Sequence, residues 1–271
     1  MAKYKKKRAR ELKHDVFRDT AMSLMDQLGN RLEGKGWTII YGLGGAAVLA
    51  LLIWLGVAYY QKHNNEARAA LGRAIRISSG SVSQTPSLDP EESGLNFSTE
   101  QERAQKAIDE FKKVEAKYGD PYRTEARYFI ATNLLYIDRN QAMNQLGELS
   151  GNRNKDVAAL ARFALAQAKE SDGKLDEAAK LYQELAAAGS AVVPAESANF
   201  RLAMVLEKQG KKKEASDLLF NLVDSARKAK DAEGNPVTQS QAARDAAREL
   251  EKLDPDRSKQ LTPEAPSGLP F

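Results

Sequence analysis

The residue types that most often carry covalent or metal chemistry are scarce in this chain and far apart. Cysteine is absent, so disulfides, thiol nucleophiles and attachment of lipid through cysteine are excluded. The two histidines, His14 and His63, fall on opposite sides of a long apolar run, so they cannot meet in a catalytic triad or a metal cage. No phosphate-binding loop, Gly-x-Ser-x-Gly elbow or His-Glu-x-x-His pair occurs, and Gly42-Leu43-Gly44-Gly45 lies inside the apolar run, where it reads as a packing feature. Aspartate and glutamate are abundant, at 37 residues, but at helical spacing they read as solvated faces. The expectation is a protein with no catalytic residues, no metal and no cofactor, whose chemistry is recognition.

The element that positions everything else is the run itself. From Trp37 to Tyr60 there is no charged residue, and aromatics mark both ends: Trp37 and Tyr41, then Trp54, Tyr59 and Tyr60. About 20 apolar residues in a helix cross a hydrocarbon core, and aromatic rings favour its two interfaces. The reading is a single transmembrane helix over 37–60. Residues 1–36 hold ten Lys and Arg, whereas the segment 61–76 holds four, which keeps the N-terminus in the cytoplasm. A basic leader this long, with no small-residue cleavage site after Tyr60, argues for an uncleaved anchor. Residues 61–271 are then expected on the far side, in the periplasm of a bacterial inner membrane.

Of the chain's 41 basic and 37 acidic residues, the first 36 take ten and five, so the exported part carries 31 against 32. The overall pI near 9.0 therefore describes the tail. Lys5, Lys6, Lys7 and Arg8 belong to a charge run suited to anionic headgroups. After Glu11 an amphipathic helix is expected, with Phe17, Leu24 and Leu28 on its apolar stripe, lying on the inner leaflet, pairing with another subunit or continuing into the span. With no RNA-binding pattern beside the basic run, nucleic acid is not expected as a partner. Gly42, Ala46 and Ala50 recur every four residues and offer a face for a homodimer.

Beyond the run the chain is all-α and periodic. Ala107–Phe111, Ala142–Leu146, Ala178–Tyr182 and Ala215–Leu219 each place alanine four residues before a large apolar side chain, at intervals of 35, 36 and 37 residues. Between them lie helices holding Ala131, Ala166 and Ala203, and two turns carry Gly173 and Gly210. Small residues let paired helices approach, and glycine turns the chain between them. A first helix is expected at about 66–79, a flexible insertion at 80–97, a capping box at Ser98 or Thr99, an Asp120 cap with Pro121 in the first turn, a turn-rich break at 231–238, a capping helix at 240–253 and a loose Pro-rich tail at 254–271.

In these residues the chain resembles the tetratricopeptide repeat, over roughly 66–228. That resemblance implies an α-solenoid whose first helices line a concave face. In its register the fifth position of the first helix becomes Tyr128, Phe163 and Phe200, and the ninth becomes Thr132, Gln167 and Met204. These six side chains either pack between helices or form part of a peptide-binding groove. The tail, span and exported repeat domain together are similar to the YfgM-like family, ancillary to the bacterial SecYEG translocon. That likeness implies protein partners: translocon components, exported chains or periplasmic chaperones. A scaffold for an envelope or cell-division complex, and a subunit acting through the cytoplasmic helix, are the other readings.

Overall fold

The computed structural model describes residues 36–83 and 95–263, with side chains from residue 47 onward. The expected cytoplasmic helix, the basic run Lys5 to Arg8, Phe17, Leu24 and Leu28 all lie outside the described residues, as does the side-chain packing of the Gly42 and Ala46 positions. The chain divides into two compact units, Met1–Asn65 and Glu66–Phe271.

Helix α1 runs Gly36–Ser78 across that division. A separate helix starting near residue 66 was expected; instead Gln61-Lys62-His63-Asn64-Asn65 continue the helix, because they contain neither glycine nor proline to stop it. In the first unit every described large apolar side chain from Val48 to Tyr60 is exposed, Leu52 at 62% and Trp54 at 64%. Tyr59 stacks on His63 one turn further on. Among the described residues, no helix is long and apolar enough to cross a membrane. The Trp37–Tyr60 run begins in residues whose side chains are not described, so that expectation lies in part outside them.

The second unit is a stack of helix pairs. After the end of α1 come two short parallel strands, β1 (Ser81–Val82) and β2 (Asn96–Phe97), then α2 (Glu100–Lys117), α3 (Tyr122–Leu134), α4 (Arg139–Leu149), α5 (Lys155–Ser171), α6 (Leu175–Ala188), α7 (Ala195–Lys208), α8 (Lys212–Lys228), α9 (Gln241–Leu253) and α10 (Pro255–Ser258). From α2 to α9 each helix packs on the next, and α3 also packs on α5 and α7 on α9, so that the first helices of neighbouring pairs lie side by side. That is an α-solenoid of stacked helix pairs.

The alanine-to-large spacing explains the packing. Ala107, Ala142, Ala178 and Ala215 are all 0% exposed, as are Phe111, Leu146 and Tyr182, with Leu219 at 1%. Ala131, Ala166 and Ala203 on the facing helices are buried equally deeply. An alanine at each crossing brings two helix axes close, and the large residue one turn on fills the layer beside it. At Gly173 and Gly210 the backbone turns through φ of 74° and 78°, and Lys174 and Lys211 donate back to the carbonyls of Lys169 and Leu206. These bonds close the helix ends in a conformation that side chains with a Cβ resist. The turn without glycine is closed by Asp138, whose carboxylate accepts from the Gln141 amide.

Several local expectations change. The 80–97 insertion is ordered at both ends, where β1 pairs with β2 and Phe97 is buried; its middle, 84–94, lies outside the described residues. A Cβ on Gly80 would stand 2.5 Å from the Leu95 carbonyl oxygen, so only glycine lets the two ends close. Thr99 caps α2 by accepting from Glu102, while Glu102 accepts from Ser98 rather than from the Thr99 amide. Asp120 does not cap α3: its carboxylate accepts the Thr124 hydroxyl at 2.6 Å, and no side chain caps that helix. In the 231–238 segment the Asp231 carboxylate gathers the amides of Glu233 and Asn235. The start of the expected loose tail is held: Asp254 caps α10, Leu261 is buried, and Thr262 bonds to both Asp224 and Arg227. The tail from 264 onward lies outside the described residues.

Candidate functional site

The first helices α3, α5 and α7 carry the six side chains singled out by the repeat register. Phe163 and Phe200 are half-buried and pack on the cores of their own pairs; Phe163 meets the Tyr182 ring edge-on at 5.7 Å. Met204 is half-buried on α7. Tyr128, Thr132 and Gln167 come together instead, in the wall of a 460 Å³ pocket. The structure thus places half of the set at one site and leaves the two phenylalanines as packing residues with one edge in solvent.

The pocket is built where α3 and α5 lie side by side. Tyr128 packs on the core between α4 and α5, edge-on to Phe129, and burial pushes its hydroxyl pKa upward. Asn133 is buried on α3; its amide donates to the Phe129 carbonyl at 2.8 Å and its oxygen accepts the Ser78 hydroxyl at 3.0 Å, which fixes the end of α1 against α3. Thr132 spends its hydroxyl proton on the Phe129 carbonyl.

Two arginines complete the wall, and the repeat register did not reveal them. Arg103 of α2 lies with its guanidinium 5.5 Å from the centre of the Tyr136 ring, donates to the Gly80 carbonyl and pairs with Glu100. Arg139 opens α4, pairing through Nε with Asp172 at 2.5 Å and donating Nη2 to the Ala168 carbonyl at 2.8 Å. Both lie where the glycine-free α3–α4 turn brings Tyr136 beside the stem of the insertion. Among the described residues, no carboxylate lines the pocket.

One carboxylate departs from the expectation of solvated faces. Glu170 of α5 is 7% exposed and accepts the Tyr182 hydroxyl at 3.0 Å, Arg201 at 2.7 Å and Lys208 at 2.6 Å, tying α5, α6 and α7 together. Burial pushes its pKa up, but the Lys208 hydrogen bond, the Arg201 charge and the Tyr182 hydroxyl outweigh that and hold it below the usual carboxylate range. Burial raises the Tyr182 hydroxyl to about 12. With both cations and the phenol already bound, the cluster has the form of a structural tie. Among the described residues, no three His, Asp or Glu side chains converge in a way that could hold a metal ion.

The chain matches no protein-family description and no curated protein. Among solved structures it is similar to a kinesin light chain protein of Podosopora anserina with nearly identical TPR-like repeats, and to a single-substitution variant of it. Both are 16% identical over 73% of this chain and 89% of theirs, with TM-scores of 0.48 and 0.49. The helical-repeat assignment stands on the packing itself.

Proposed function

We propose that this chain is a membrane-anchored interaction module that holds a segment of another polypeptide on the concave side of its repeats, and that it has no catalytic role. The observation that carries the reading is the pocket between α3 and α5, where aromatic rings and hydrogen-bond donors converge at the scale of a peptide side chain and its backbone. The anchor is proposed from the uncharged 37–60 sequence and from the ring of exposed apolar side chains over Val48 to Tyr60, which water solvates poorly. The N-terminus would face the cytoplasm and residues 61–271 the periplasm of a bacterial inner membrane, with Gly42, Ala46 and Ala50 available for pairing two spans.

The layout is similar to the YfgM-like family, and the partners proposed are translocon components, exported chains or periplasmic chaperones. A weak binder fixed beside an export channel works at a raised effective concentration, so modest affinity suffices. In-cell photo-crosslinking from positions 128, 132 and 167 tests the binding. Translocon components and a spread of exported chains are the expected adducts; one recurring envelope protein would replace this reading with a dedicated scaffold, and no adducts would overturn it. The absence of cysteine makes topology equally testable. Ser150→Cys should react with an impermeant maleimide from the periplasmic side, and release of the chain by alkaline carbonate would refute the anchor.

A further inference from the structure

We propose that the pocket between α3 and α5 selects an acidic segment of the bound polypeptide, an Asp or Glu side chain entering it to meet Arg103 and Arg139. The proposal deepens the interaction reading and rests on it. Among the described residues, Arg103 and Arg139 are the only charged side chains in the lining, and their partners Glu100 and Asp172 stand outside it. Those partners occupy only part of each guanidinium. Arg103 spends Nη1 on the Gly80 carbonyl and Nη2 on Glu100, which leaves Nε buried with no acceptor. Arg139 spends Nε and Nη2, and its Nη1 has no partner among the described residues.

The rest of the lining points the same way. The acceptor of Asn133 is taken by Ser78, while Thr132 and Ser78, their hydroxyl protons committed, keep lone pairs that answer a backbone N–H of the bound segment rather than its carboxylate. The hydroxyls of Tyr128 and Tyr136 carry no partner among the described residues and can donate, so what favours an anion is the two guanidinium charges with these phenols beside them. A carboxylate supplies two oxygens, one for the Nη1 of Arg139, with the charge that two guanidinium groups favour. A cation is repelled, and a neutral amide answers the hydrogen bonds without the charge. The volume of 460 Å³ exceeds what a free inorganic anion fills and suits a side chain with flanking backbone.

The test uses the full chain in detergent micelles and fluorescence anisotropy of short labelled peptides that differ only in a central Glu-Glu, Gln-Gln or Lys-Lys. The Glu-Glu peptide should bind at least about tenfold more tightly than Gln-Gln, with the preference shrinking as salt rises. Arg139→Gln should abolish the preference. Because Arg139 also ties α4 to α5, Gln167→Glu is the second variant: it adds a like charge to the pocket wall without touching either arginine's ion pair, and it should cut the preference for Glu-Glu over Gln-Gln by a similar factor. Equal binding of Glu-Glu and Gln-Gln overturns the charge selection and leaves the interaction reading intact. Binding of no peptide overturns both. Complete displacement of the Glu-Glu peptide by equimolar inorganic phosphate would make this a site for free anions and refute the peptide.

Discussion

Replacing Glu170 by glutamine tests whether the solenoid is held together by polar ties between pairs as well as by its alanine crossings. The wild-type carboxylate accepts from Tyr182, Arg201 and Lys208, side chains 12, 31 and 38 residues away. Glutamine keeps the shape and one acceptor, but its amide nitrogen then faces a donor. Hydrogen bonds to a charged group contribute about 1.5–3 kcal/mol each. Lys208 and Arg201 are 54% and 34% exposed, so both recover much of their share by turning to water. Tyr182, fully buried, cannot. The net loss should be about 2 kcal/mol, read from the urea midpoint of the helical signal at neutral pH. The sign with pH is equally definite. A folded pKa held below the ordinary value gives stability that is complete above about pH 4.3 and lost as pH falls through the folded value. The gap between wild type and Glu170→Gln should therefore be constant near neutrality and close in acid. A loss under about 0.5 kcal/mol, or a gap that persists at the lowest pH, would refute the tie.

Tyr182→Phe addresses the same cluster from the alkaline side: a hydroxyl raised to about 12 contributes stability below its ordinary value near 10 and loses it as pH rises through about 12, so the variant should show a flatter alkaline limb. An unchanged limb would count against burial of that hydroxyl. Gly80→Ala places a methyl 2.5 Å from the Leu95 carbonyl and 2.6 Å from the Phe97 ring; the ring can yield but the backbone cannot, and a cost of about 1–3 kcal/mol is expected in the urea midpoint. Phe163→Ser with Phe200→Ser should lower the melting temperature clearly, because both rings pack on their pairs' cores; a loss of partner capture without a change in melting would return them to the groove.

The solenoid was legible because its crossings repeat. Alanine followed four residues later by a large side chain, at intervals of 35, 36 and 37, marks every buried crossing from Ala107 to Leu219. The glycine turns were legible for the same reason, since positive φ at Gly173 and Gly210 has a one-letter signature. What the sequence hid are contacts whose partners stand far apart along the chain and follow no period. Glu170 looks like any other helical carboxylate until α7 folds back with Arg201 and Lys208. The stem of the insertion looked like a linker because two-residue strands carry no alternation, and only the crowding at Gly80 reveals that its ends meet. Leu261 reads as tail until it enters the core beside α8 and α9.

The pocket follows a different logic, and one that does leave a trace in the sequence. The position of Arg139, three before the buried alanine, is held by Ala104, Leu175 and Lys212 in the other pairs, and that of Arg103 by Asp138, Lys174 and Lys211. Residues that recur at a position build the stack, because every pair must solve the same packing problem. A residue that does not recur is under no such common constraint, even where, like Arg139, it makes a tie of its own. Arg103, half-buried beside Tyr136, and Arg139, bridging α4 to the end of α5, each keep a donor without a partner. The unpaired donors do not help the stack stand, although the remaining bonds of both arginines do. The repeat pattern sets Arg139 apart, whereas Arg103 stands where two other pairs carry lysine and only the geometry singles it out; a bound carboxylate is the group that both guanidinium charges favour.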